Sequence, residues 1–215
     1  MENLLVPQNI DIEEIGHTSI GVVNHAKVSL YPLEKGFADT LGTAFRRVLL
    51  SSLSGCAVVS VKIEGVLHEY DRIDGVKEDV LDIILNLKNL CVLLHDADRV
   101  EITLSKNKAG LVTAKDIKVD DSVEIVNPDL VIATLNADVS FNMELIIERG
   151  RGYVKVVNDV ESGENSIGIL PLDASFTPVD KVYYDVEPAR VEQRTDLDKL
   201  VIDLKTDGTV SPEDA

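Results

Sequence analysis

The sequence predicts an α+β fold, and three observations carry that expectation. Short alternating strands recur along the chain without the strand–helix–strand rhythm of a parallel sheet. Only two stretches, Gly36–Leu53 and Gly75–Leu90, carry apolar residues at helical spacing. The 215 residues are 45% hydrophobic but only 4% aromatic, with no Trp, so the cores are aliphatic. That length suits one large domain or two small ones.

In chain order, residues 18–32 alternate, with Ala26, Val28 and Leu30 on one side and Lys27, Ser29 and Tyr31 on the other. This predicts a half-buried strand ended by Pro32. The first helix follows. Phe37, Leu41, Ala44, Phe45 and Val48 form one stripe expected to dock on the core. Leu50 falls on nearly the opposite side, between Arg46 and Arg47. An ordinary exposed leucine and a leucine reserved for a partner protein fit that position equally well.

Val59, Val61 and Ile63 then alternate as a second strand, with Val66–Tyr70 expected to continue it after a bulge. The second helix has Asp74 as its expected cap and Glu78 and Asp79 in its first turns. Its inward stripe is Val76, Val80, Ile83, Ile84, Leu87 and Leu90; Leu81, Leu85 and Lys88 form a ridge off to one side. Both helices thus pair an apolar side ridge with a cation, as a chain with several docking surfaces would.

From Arg99 to Leu172 the strands expected are Val100–Leu104, Ser122–Val126, Val131–Leu135, Ser140–Glu148, Tyr153–Val157 and Ile167–Leu172. Turns such as Asn107–Gly110, Asp120-Asp121 and Ser162-Gly163 separate them. Lys181–Val186 and Leu200–Leu204 are the last strands, joined by a solvated, salt-bridged connection over Glu187–Lys199. Ser211-Pro212-Glu213-Asp214 has the residues of a helix start, so with Ala215 as the last residue either a truncated chain or a frayed acidic tail is expected.

The net charge is −17, which repels phosphate backbones, so direct nucleic-acid binding is not expected. Cys56 and Cys91 sit in apolar company, as reduced core residues of a cytosolic protein do. There is no basic leader and no apolar run of bilayer length, which points to a cytoplasmic location. No Gly-rich phosphate loop, CxxC, HExxH or GxSxG occurs. His17, His25, His68 and His95 are scattered, and His68 and Glu69, in an expected strand, would face opposite ways. Arg149-Gly150-Arg151-Gly152-Tyr153 fits a strand, a turn and a return strand better than an RNA contact. No catalytic residue, cofactor or metal site is expected.

Four blocks bring these observations together: YPLEKGFADTLGTAFRRVLLSS (Tyr31–Ser52), GVLHEYDRIDGVKEDVLDIILNLKNL (Gly65–Leu90), ERGRGYV (Glu148–Val154) and VEQRTDLDKLVIDLKTDGTVSPEDA (Val191–Ala215). In order and spacing they resemble the N-terminal part of the α subunit of bacterial RNA polymerase. The resemblance implies a dimerisation lobe made from both chain ends, 1–54 and 178–215, with a long interface helix. It implies an inserted strand-rich lobe over 55–177. It also implies a non-catalytic scaffold that pairs with a second α subunit, identical or diverged, and recruits the β and β′ subunits. Phe37, Leu41, Phe45 and Val48 would then meet the other α protomer, Arg47 and Leu50 would face β, and Leu85 and Lys88 would face β′. Where the family usually reads RGFGxTLGNALRR, this chain has Lys35, Ala38, Thr43 and Phe45, and Phe45 would thicken the seam between protomers. Two other classes stay open on the residues alone: a homo-oligomeric regulatory module, and an α+β hydrolase or isomerase. Co-purification with two very large subunits separates the scaffold from both.

Overall fold

A computed structural model describes residues 7, 9–18, 21–156, 168–191 and 194–215. In chain order the elements begin with β1 (Asn9–His17), β2 (Val23–Glu34), α1 (Phe37–Ser51), β3 (Ser54–Ile63) and α2 (Val80–Leu87). There follow β4 (Val92–Leu94), β5 (Arg99–Lys106), β6 (Gly110–Thr113), β7 (Ile117–Lys118), β8 (Val123–Ile125), β9 (Val131–Leu135) and β10 (Phe141–Arg151). The last are β11 (Tyr153–Val154), β12 (Ile169–Pro171), β13 (Ala174–Ser175), β14 (Val179–Val191) and β15 (Arg194–Thr206). The fold is α+β and strand-rich, and it divides into two compact units. One joins the chain up to Leu53 with Thr177–Ala215; the other is Ser54–Phe176.

The first unit is an antiparallel sheet in the order β1-β2-β15-β14 with α1 on one face. Its core is Leu33, Ala38, Leu49, Val179, Val182, Leu200, Ile202 and Leu204. Gly36 opens α1 at φ 81°, a left-handed conformation that favours glycine, and its N–H donates to Asp198 Oδ2 at 2.8 Å. Gly42 then lets the helix lie close to the sheet, because a Cβ there would stand 2.5 Å from the Tyr184 ring. Gly42→Ala should therefore destabilise this unit although alanine is the better helix former. Overpacking costs about 1–3 kcal/mol, against about 1 kcal/mol gained in helix propensity. A lowered urea midpoint checks it.

Several expectations change here. Strand β1 is additional to those expected. Strand β2 runs through Pro32 to Glu34 rather than stopping there. The proline is tolerated because β1 pairing ends at Tyr31 and the ladder with β15 slips between Asp198 and Leu200, so Pro32 owes no ladder N–H. Residues 187–191 and 194–199 are not a connection but paired ends of β14 and β15, where Lys199 pairs with Glu187 at 3.4 Å and Arg194 with Glu34 at 3.3 Å. Pro188 is acceptable there because β14 is an edge strand. Ser19, Ile20, Glu192 and Gln193 lie outside the described residues. Ser211 does start a helical turn: its hydroxyl accepts from Asp214 N–H at 3.2 Å, and its carbonyl accepts from Ala215 N–H at 3.1 Å.

The second unit is built on a five-stranded sheet in the order β12-β3-β10-β5-β7, with three two-stranded ribbons, β11–β13, β4–β8 and β6–β9. Helix α2 packs Val80, Ile83, Ile84 and Leu87 into its core, with Leu90 following, as the inward stripe requires. Val76 is only partly buried against that core. The helix is half the expected length. Its expected first turn is committed to β9 instead: the Glu78 carboxylate accepts from Thr134 N–H at 2.6 Å and Thr134 Oγ1 at 2.9 Å, and Val76 bridges to Leu135. Asp79, not Asp74, takes the cap position.

Val66–Tyr70 is a turn, not a strand. The Asp71 carboxylate holds it by accepting from Leu67 N–H at 2.9 Å and His68 N–H at 3.2 Å. In β3 the pairing with β10 shifts between Ile146 and Ile147, which passes over Val59. The extra residue changes the phase, so Val58, Val61 and Ile63 are buried rather than Val59, Val61 and Ile63. Val157, Ile167 and the Ser162-Gly163 turn lie outside the described residues.

Candidate protein-docking surfaces

Helix α1 does not dock by the stripe expected of it. Its inward row is Ala38, Gly42 and Leu49, with Leu41 half-buried beside it. Phe37, Phe45 and Val48 are 39%, 40% and 51% exposed, and Ala44 is exposed too. The apolar arc of the helix is about half a turn wide, and the sheet takes the edge that contains Ala38 and Gly42, where the backbone can approach closely. The bulky side chains are left outside. An isolated exposed phenylalanine is unremarkable, but two with a valine on one helix face make a patch.

The other side of α1 presents Arg47 and Leu50, both exposed, Leu50 by 38%. Arg46 sits one turn before Leu50, on its other flank. It lines a groove with Asp39 and the β14 residues Tyr183, Tyr184, Asp185 and Val186, and Thr43 Oγ1 is 3.0 Å from the Tyr184 hydroxyl.

Helix α2 exposes Leu81 and Leu85, at 44% and 51%. Lys88, at its end, is exposed but not alone: its Nζ is 3.9 Å from Asp173 Oδ2. That carboxyl is held below the usual carboxylate range, first by Val156 N–H at 2.7 Å and then by the Tyr153 hydroxyl and the Lys88 and Lys155 charges. Burial and the Asp173 contact push the Tyr153 phenol up. Lys88 is therefore tied to Asp173, the residue before β13, whereas Leu85 stays exposed.

Arg149 is a structural residue. Its guanidinium donates to the carbonyls of Leu94 and, at 3.1 Å, His95, fastening the end of β4 to β10. Gly150 leaves room for the Phe176 ring, which a Cβ would approach to 2.7 Å. The strand after Gly152 pairs with β13 rather than folding back on β10. Each histidine has one acidic neighbour: Glu14 for His17, Asp203 for His25, Asp71 for His68 and Glu124 for His95. Among the described residues no three His, Cys, Asp or Glu side chains converge as a metal site, and no helix is long and apolar enough to cross a membrane.

A family model described as the RNA polymerase Rpb3/RpoA insert domain matches residues 61–177, which is 117 of the 215 residues. The chain belongs to this family. It is an RNA polymerase α-like subunit chain, and the family's domain occurs in a non-catalytic, assembly-type subunit. The match covers nearly all of the second unit. Of the α-like chain's candidate faces, the α2 ridge lies inside the matched residues and α1 lies outside them.

Sequence periodicity missed one feature. Ile10, Ile12 and Ile15 on β1 are 63%, 43% and 46% exposed. The alternation of Ile10 and Ile12 with Asp11 and Glu13 was a legible strand signal; Ile15 falls out of phase, at the register slip after Glu14.

Proposed function

We propose that this chain is a cytoplasmic assembly scaffold of a bacterial-type RNA polymerase. The unit made from both chain ends is the dimerisation lobe, and Phe37, Leu41, Phe45 and Val48 of α1 meet a second α protomer, identical or diverged. Arg47 and Leu50 capture the β subunit, and Leu85 and Lys88 of the inserted lobe face β′. The chain contributes no catalytic residue and does not itself bind nucleic acid. The single observation that carries this reading is the outward Phe37–Phe45–Val48 patch, which a chain acting alone would have no reason to leave in water.

A twofold pair displays two copies of every patch, so two different large partners can each take one copy and break the symmetry by occupancy. Arginine suits the β face because its fork grips carboxylates and carbonyls with fixed geometry. Co-expression with the two large subunits tests the proposal: both should co-purify. Arg47→Ala should spare the α pair and weaken β capture about tenfold or more, as truncation of an interface arginine does. A monomeric Arg47→Ala chain on gel filtration would mean that the helix faces are assigned the wrong way round.

A further inference from the structure

The four-stranded sheet has two edges, and they are built differently. Strand β14 carries Pro188 and register slips near both ends, between Val179 and Lys181 and between Ala189 and Val191. Those are the devices that keep an edge from pairing with another chain. Strand β1 has its slips only beyond Glu14. From Asn9 to Glu14 its pairing with β2 is regular, Asn9 opposite Tyr31 through Glu14 opposite Ala26. Among the described residues no strand pairs with its other side.

The side chains on this regular run are sorted by face. Ile10 lies opposite Leu30, which lies opposite Leu200; Ile12 lies opposite Val28, which lies opposite Ile202. Leu200 and Ile202 are buried under α1, so the two isoleucines extend the apolar face of the sheet to its rim. Asp11 and Glu13 are on the other face. Asp11 accepts from the Tyr31 hydroxyl at 2.8 Å, and Lys27 stands opposite Glu13 on the inner side. Nothing in Asn9–His17 is Lys or Arg.

We infer that the Asn9–Glu14 edge is a strand-addition site for an extended segment of another protein that alternates aliphatic with Lys or Arg side chains. An added strand places its residues directly opposite those of β1, so Ile10 and Ile12 ask for aliphatic neighbours while Asp11 and Glu13 ask for cations. The same rule argues against a second copy of this chain. Antiparallel β1–β1 pairing across a twofold axis would set the Asp11 and Glu13 carboxylates of both strands against one another on one face, and like charges so placed repel. The main-chain hydrogen bonds supply affinity; the alternation supplies selectivity.

The test uses the whole chain and two labelled synthetic peptides, one alternating valine with lysine and one alternating valine with glutamate, followed by fluorescence anisotropy. The lysine peptide should bind saturably and the glutamate peptide should not. Ile10→Lys with Ile12→Lys should weaken binding about tenfold or more. Asp11→Lys with Glu13→Lys should reverse the preference, so that the glutamate peptide binds; this readout is a ratio within one protein and does not depend on its folded fraction. Equal binding of both peptides, binding of neither, or equal binding of a valine–lysine peptide of the same composition in blocks would overturn the inference. So would loss of the α pair in either double variant, since the edge would then belong to the seam between protomers. Light scattering reads that pair separately, so a monomeric parent chain would count against the dimer proposal without touching this one.

Discussion

Val48→Asp should convert the proposed α pair to a monomer while its fold stays intact. Val48 is 51% exposed in the lone chain and lies outside the core of its unit, so an aspartate there meets water, not protein, before assembly. In the pair the same position is desolvated twice, once per protomer. About half of the valine is left to bury, so each lost burial removes roughly half of the about 1.5–3 kcal/mol of a full one, and two remove about 1.5–3 kcal/mol. That raises the dissociation constant by roughly one to two powers of ten before the cost of burying the new charge is added. Light scattering at matched concentration reads the mass, and circular dichroism checks that the helix survives. Leu50→Asp, on the opposite side of α1, is the control and leaves the pair intact. Leu41→Asp is the poorer experiment despite its place in the same stripe, because Leu41 is half-buried against the Leu33–Leu49 core and its substitution would damage the monomer as well. A Val48→Asp protein that remained paired would end the dimer assignment of α1.

Leu145→Ala should produce the largest loss of stability. Leu145 is fully buried on β10, the central strand of the five-stranded sheet, between Val61 on β3 and Ile102 on β5. It is held on both sides by ladder pairing, so the sheet cannot collapse into the space left behind. A buried leucine cut to alanine under those conditions costs about 2–5 kcal/mol through lost burial plus the residual cavity. Urea unfolding should show a lower midpoint with an unchanged slope. The loss should appear in the transition of the Ser54–Phe176 unit, because Leu145 contributes nothing to the other core. A change of less than about 1 kcal/mol would mean that the core has relaxed around the deletion.

The inward stripe of α2 was legible because Val80, Ile83, Ile84 and Leu87 recur at helical spacing and all point into one core. The start of that helix was not, since Glu78 and Val76 are engaged by β9 some fifty-six residues further on, and no local signal reports a partner so distant in sequence. The phase error at Val59 has the same origin. A bulge belongs to a pair of strands, and a single strand does not announce it. In the β14–β15 pair the exposed, salt-bridged acids were legible, as Glu187 with Lys199 and Asp196 with Arg194, but the strand pairing that carries them was not, because a ladder belongs to two segments at once.

Composition and periodicity alone established an α+β chain with aliphatic cores, two amphipathic helices and an acidic surface, because charge, burial pattern and local spacing are properties of residues near one another in the chain. Which edge of α1 turns inward lay beyond their reach. Its apolar arc is wider than one contact surface needs, and hydrophobicity alone favoured the bulky residues. Packing chose the opposite edge, since Ala38 and Gly42 permit a close approach to Leu200 and Tyr184 that Phe37 and Phe45 would prevent. That choice, made between segments more than a hundred residues apart, is what leaves the larger side chains outside and available.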